Sequence, residues 1–267
     1  MSWWGKVLGG AFGYMLGGPL GALFGAALGH QFDKGLNASN WQGFIPAGGN
    51  QEQVQAAFFT ALFSVMGHVA KADGRVSEDE IAMARSVMQQ MALDEEQKRV
   101  AIELFNQGKS STFDLEAVVG QFRQECHRRT TLIQMYLEVL IHAAYADGEM
   151  HTDEHNVLLH VSRMLGLNEY QYQQIEARVQ AQRSFHQGAS QAKPTKELLK
   201  EAYDVIGVKE NATDAEIKKA YRRLMNQHHP DKLVSRGMPE EMVKMATEKT
   251  QEIRKAYELI KDSRKVK

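Results

Sequence analysis

His229, Pro230 and Asp231 follow a run of cations on a stretch that reads as a helix stopped by the proline. In IKKAYRRLMNQHHPD (217–231), Ile217, Ala220, Tyr221 and Leu224 fall at i, i+3, i+4 and i+7, the apolar stripe of an amphipathic helix. Lys218, Lys219, Arg222 and Arg223 occupy its remaining faces, and Thr213 with Glu216 reads as a capping box that starts it. Pro230 lacks an N–H and pushes His229 away from helical dihedrals, so the helix ends there. The chemistry this predicts is recognition. A clustered cationic face attracts an acidic surface, while a proline-fixed loop displays an imidazole and a carboxylate beside it. The alternatives are a plain Pro-Asp turn and a solvated basic face.

Other reactive side chains carry less. The sequence holds no P-loop, no G-x-S-x-G and no convincing Cys/His pair, so we expect no enzymatic activity and no cofactor. The single cysteine, Cys126, excludes an internal disulfide and fits a reducing compartment. It has no resolving partner and reads as a small buried side chain. His151, His155 and His160 invite a zinc reading, but H-T-D-E-H sets its glutamate in the wrong place for a metalloprotease base. A solvated helix face is the simpler account.

The elements that must position these residues fit two domains in 267 residues. The net charge of −1 gives no signal for nucleic acid. From Glu197 onward there are 16 basic and 13 acidic residues, net +3, leaving 16 and 20 before it, net −4. A basic C-terminal module sits on an acidic body.

Residues 7–29 carry no charge over 23 positions, about 34 Å as helix and enough for a hydrocarbon core of about 30 Å. Gly9, Gly13, Gly17, Gly21 and Gly25 recur every fourth residue within a longer row from Gly5 to Gly29. In lipid such a row lets two backbones approach closely, so we expect a single transmembrane helix that dimerises, mildly kinked at Pro19. A signal peptide has a shorter apolar region, and a Gly-rich linker would lack Leu8, Phe12, Leu16, Leu20 and Phe24. Lys6 and the terminal amine weakly favour a cytoplasmic N-terminus. Residues 30–52 and 186–196 are Gly-rich and Pro-containing, read as linkers, the second letting the C-terminal module swing.

Between them, 53–185 is helical throughout and duplicated. Residues 68–97 align without gaps to 142–171, and eleven of the thirty positions are identical, including Asp73/Asp147, Gly74/Gly148, Asp79/Asp153 and Glu80/Glu154. Each copy reads as helix, Asp-Gly turn, helix, and the pair as an all-α bundle.

Residues 197–267 resemble the J domain of DnaJ-type co-chaperones. AYDVIGV (202–208), with Gly207 as a C-cap, matches the end of that domain's first helix, 217–231 its basic second helix and HPD signature, and QEIRKAYELI the end of its third. The resemblance implies that Lys218, Lys219, Arg222 and Arg223 dock on an acidic surface of the chaperone ATPase DnaK, and that His229-Pro230-Asp231 triggers hydrolysis. This sequence departs from the family pattern at Asn226–Gln227–His228, where more cation and an aromatic are usual, and in a longer loop over 232–239. The repeated A-x-A-D-G…D-E pattern resembles the TerB-like domain, of tellurite-resistance type. That likeness raises an acidic metal site at Asp73, Asp79, Glu80, Asp147, Asp153 and Glu154. Turn and cap chemistry explains these residues without an ion, since a calcium loop needs ligands at alternating positions.

In order, the segments resemble the membrane-anchored DnaJ-like co-chaperones of Gram-negative bacteria: all-α, with a transmembrane helix (7–29), a TerB-like bundle (53–185) and a C-terminal J domain (197–267). The implied location is the inner membrane, with the six-residue N-terminal tail periplasmic and the C-terminal domains cytoplasmic, against the weak charge bias. Envelope stress signalling fits that reading. A membrane-tethered stress or metal sensor, or a scaffold, is the alternative.

Overall fold

The computed structural model describes residues 13, 18–27, 50–72, 78–127, 129–145, 148–190, 195–235 and 242–265. These are helices and the turns between them, with no strand among the described residues. Between residue 50 and the J-like region the described residues form α1 (Asn50–Val69), α2 (Glu78–Gln90), α3 (Glu95–Gly108), α4 (Leu115–Cys126), α5 (Thr130–Ala144), α6 (Thr152–Met164) and α7 (Glu169–Ser190). The duplication is visible in the boundaries, because α2 and α6 start 74 residues apart and so do α3 and α7. Both copies enter the third helix through the same reciprocal cap. Gln97 N–H donates to Asp94 and Asp94 N–H to Gln97 Oε1, as Gln171 does with Asn168.

α1 and α5 form the middle of the bundle. Phe58, Phe122 and Tyr136 meet there as a buried aromatic trio, the Phe122 and Tyr136 rings 4.4 Å apart, and Tyr136 Oη–H donates to the Ala61 carbonyl. α1 crosses α3 backbone to backbone. A methyl on Gly67 would come within 2.0 Å of the Phe105 carbonyl oxygen, and one on Gly108 within 1.8 Å of that of Ser64. Only glycine permits that approach.

The J-like region supplies α8 (Thr195–Ile206), α9 (Asp214–His228), α10 (Pro230–Val234) and α11 (Val243–Lys265). Its own core joins Ala202, Val205 and Ile206 of α8, Ile217, Ala220 and Leu224 of α9, and Ile253, Ala256 and Ile260 of α11. Arg264 locks the far end of α11 onto the start of α9, donating to Tyr203 Oη, Asp214 Oδ1 and the carbonyls of Glu210 and Ala212.

Two expectations change here. The linker at 186–196 is largely helix: α7 continues to Ser190, and Phe185 packs into the J-like core. Only 191–194 lie outside the described residues. The module is also not a freely swinging one, because Leu233, Met242 and Ala246 are buried with the core of the bundle. Local spacing cannot say which of two cores an apolar residue will join.

Most of 7–29 and of the linker 30–52 lies outside the described residues, with Gly9 and Gly17 among the positions not described. Residues 18–27 are helical, and Leu20, Phe24 and Ala27 are buried against the bundle, the Leu20 N–H donating to Gln121 Oε1 at 2.8 Å. Gly13 and Gly21 touch, a methyl on Gly21 falling 2.2 Å from the Gly13 carbonyl oxygen. Along a straight helix they would stand about 12 Å apart. The expected unbroken row is therefore interrupted before Gly21, and Gly18 holds a left-handed φ of 60° in that interval. The apolar stripe of 18–27 is satisfied by protein, which is as apolar a surface as lipid tails offer. Among the described residues no helix is long and apolar enough to cross a membrane.

Candidate functional site

The proposed recognition surface begins at Thr213. Its N–H and Oγ–H both donate to Glu216 Oε2 at 2.8 Å, and the Glu216 N–H donates back to Thr213 Oγ1 at 3.3 Å, the expected capping box. That contact holds the Glu216 carboxyl below its usual range. Ahead of it, Gly207 takes φ 73° and lets Val208 N–H reach the Tyr203 carbonyl, closing α8 as the sequence predicted.

Ile217, Ala220 and Leu224 face inward, while Lys218, Lys219, Arg222 and Arg223 are all exposed. Among the described residues none of the four forms an ion pair. α9 stops at His228, and His229 is extended at φ −63°, ψ 124°. Pro230 then opens α10 at its first position, where its missing N–H would have no helical partner in any case. His229 is half exposed and Asp231 almost fully so, their side chains 3.9 Å apart. Lys232 Nζ donates to Asn226 Oδ1, tying the loop back to α9. The loop and the cationic face thus present outward together, and no described part of the bundle covers them.

Among the described residues no group of three or more His, Cys, Asp or Glu could hold a metal ion, and most of the acidic candidates fall outside that set. Asp73 and Asp147 lie outside the described residues, and of Asp79 and Glu80 only the helical backbone is described. Asp153 is exposed, whereas Glu154 is buried and accepts from the His151 N–H at 2.9 Å. It caps α6. His155 and His160 turn to different carboxylates, Glu176 at 3.7 Å and Glu116 at 3.4 Å. Cys126 is buried, and burial pushes its thiol up to about 12, far from a reactive thiolate.

Sequence reasoning missed the cluster just behind the loop. Glu138, in the middle of apolar α5, is buried and accepts from Lys249 Nζ of α11 at 2.7 Å. Arg178 Nη1 of α7 lies 3.5 Å from its other oxygen, and His228 Nε2 lies 4.0 Å from it. Burial by itself would raise the Glu138 carboxyl, but Lys249, then His228 and Arg178, outweigh it and hold the group down to about 2. His228 is pushed down to about 4 by burial, against the pull of Glu138 and with repulsion from Lys249 and Arg178. The cluster is an ionised carboxylate between two cations, with a neutral imidazole. The available signal was a lone glutamate in TTLIQMYLEVLIHAA, a helix otherwise almost wholly apolar at its centre.

Helix order, cap chemistry and the outward His-Pro-Asp loop define a J-domain co-chaperone built on a TerB-like bundle. Comparison with known proteins agrees along the whole chain. Residues 1–39 match the family described as Co-chaperone DjlA transmembrane domain, 59–177 Tellurite resistance protein TerB, and 201–267 DnaJ domain. The chain is 44% identical to Co-chaperone protein DjlA of Coxiella burnetii over 99% of both chains. It is 45% identical to that of Aliivibrio fischeri over the full length of each, and 43% identical to that of Photobacterium profundum over 97% of this chain and 98% of the relative. No solved structure matches the chain. It belongs to the DjlA family of co-chaperones and carries that family's transmembrane domain at its N-terminus.

Proposed function

We propose that the chain recruits DnaK to the inner membrane and stimulates its ATPase, performing no chemistry of its own. The observation that carries this reading is the joint exposure of Lys218, Lys219, Arg222 and Arg223 with His229 and Asp231 at the end of the same helix. Unpaired cations on a rigid rod steer an acidic partner toward it and set its register. The proline-fixed loop then enters the docked surface with its carboxylate free to pair with a cation of the partner. ATP is cytoplasmic, so the C-terminal domains belong on that side, with the short N-terminal tail periplasmic. A role in envelope stress signalling follows from recruitment at that membrane.

The test is ATP turnover by DnaK with the full chain in detergent micelles. Stimulation is expected, and His229→Gln is expected to abolish it while leaving the helical content unchanged. No stimulation by the unaltered chain would overturn the proposal.

A further inference from the structure

The loop is bracketed by two residues that do not belong to the J-like core. His228, immediately before His229, is buried with its imidazole toward Glu138 of the bundle, and Leu233, three residues after Pro230, is buried with the bundle core. α11 is divided along its length. Ala246, with Met242 just ahead of the helix, joins the bundle, Lys249 pairs with Glu138, and from Ile253 onward the helix packs on α8 and α9. His228 also stands where the sequence departs from the usual J-domain pattern, so the departure and the contact coincide.

We propose that Glu138 is a positioning residue for the His229-Pro230-Asp231 loop: through Lys249 and His228 the bundle fixes the loop in its presented form. The inference rests on the proposed stimulation of DnaK and deepens it. A buried carboxylate is stable only while its partners stay, so the cluster either holds the module in this one seat or loses it. Beside it a cavity of about 380 Å³ opens among the described residues, lined by Met83, Val87, Met135 and Gln182 of the bundle and Met245 and Glu252 of α11. The two bodies are thus not in continuous contact there, and the ion pair bridges the gap. A loop ordered before binding loses no conformational freedom on docking. A loop that samples the presented form only part of the time binds more weakly by that fraction, with the bound complex unchanged.

The experiment compares the full chain, His229→Gln, Glu138→Gln, Lys249→Met and the double Glu138→Met/Lys249→Met variant, all in micelles. Each is titrated into DnaK, and amide hydrogen exchange is followed at Leu233 and at Val205. For Glu138→Gln and Lys249→Met the half-saturating concentration is expected to rise about tenfold, the plateau staying within about twofold of the unaltered chain. Exchange at Leu233 should speed up while Val205 in the J-like core stays protected. The double variant should recover only part of the affinity, because Lys249 no longer stands without a partner but Arg178, 3.5 Å from Glu138, still does. His229→Gln should instead lose the plateau with Leu233 still protected. If Glu138→Gln loses helicity, Lys249→Met decides alone from the other side of the seam. Unchanged half-saturation beside a working unaltered chain overturns the positioning role. If the unaltered chain does not stimulate DnaK, the functional reading fails, and unchanged Leu233 exchange in Glu138→Gln or Lys249→Met would still overturn the seat.

Discussion

Ala92 and Gly166 stand at the same place in the two copies of the repeat, 74 residues apart, and both are left-handed, with φ of 53° and 86°. Each closes its helix with the same hydrogen bond, Leu93 N–H to the Met88 carbonyl and Leu167 N–H to that of Ser162. The second copy meets the conformation with glycine and the first strains an alanine into it.

Ala92→Gly is therefore expected to stabilise the protein by about 0.5–1 kcal/mol, since relief of left-handed strain exceeds the added chain entropy. Gly166→Ala should destabilise by about 1–2 kcal/mol. Its methyl would also stand 3.0 Å from the Arg123 guanidinium, which donates to the Met164 carbonyl. Denaturant midpoints of the full chain in micelles read both signs, and equal effects at the two sites would refute the account.

The close crossing of α1 and α3 gives a larger effect. Gly67→Ala places a methyl against a backbone carbonyl that has no free end to swing aside, so roughly 3 kcal/mol or more is expected to be lost. Gly120→Ala in α4 is the control, because nothing lies within 4 Å of its added methyl. That change should gain about 0.5–1 kcal/mol from helix propensity. The same denaturant titration decides it.

Acid should loosen the seam before it unfolds the helices. His228 is held below its ordinary 6.5, at about 4, so between those values the unfolded chain binds a proton that the folded one refuses. Stability is therefore full above about pH 7 and falls as pH drops from 6.5 to 4, by on the order of 1–3 kcal/mol from this group. Glu138, Lys249 and Arg178 face it, and Glu138 loses its contribution only as pH falls from 4.5 toward 2. His68, also lowered by burial, adds a slope of the same sign. His228→Gln should flatten part of the slope between pH 6.5 and 4, and an unaltered profile would show that the imidazole is not buried neutral.

Reversing Lys218, Lys219, Arg222 and Arg223 to Glu should leave the fold intact, each exposed change falling within about 0.5 kcal/mol. Association with DnaK should slow by tenfold or more at low salt, the two proteins converging as salt rises. Stopped-flow association at two ionic strengths measures this. A slowing that salt does not relieve would point to shape and not charge.

What the sequence determined by itself is local. The capping box at Thr213, the left-handed Gly207, the stop at Pro230 and the inward stripe of α9 all depend on residues within about a turn of one another, so spacing and side-chain chemistry suffice. The 74-residue repeat was legible for the same reason, both copies obeying the same short-range rules. Tertiary structure alone decided which core each apolar face would join: α11 is one continuous stripe in the sequence but serves two cores. It alone brought Glu138 to Lys249 across 111 positions, an attraction strong only where burial strips away water, and no periodicity records it.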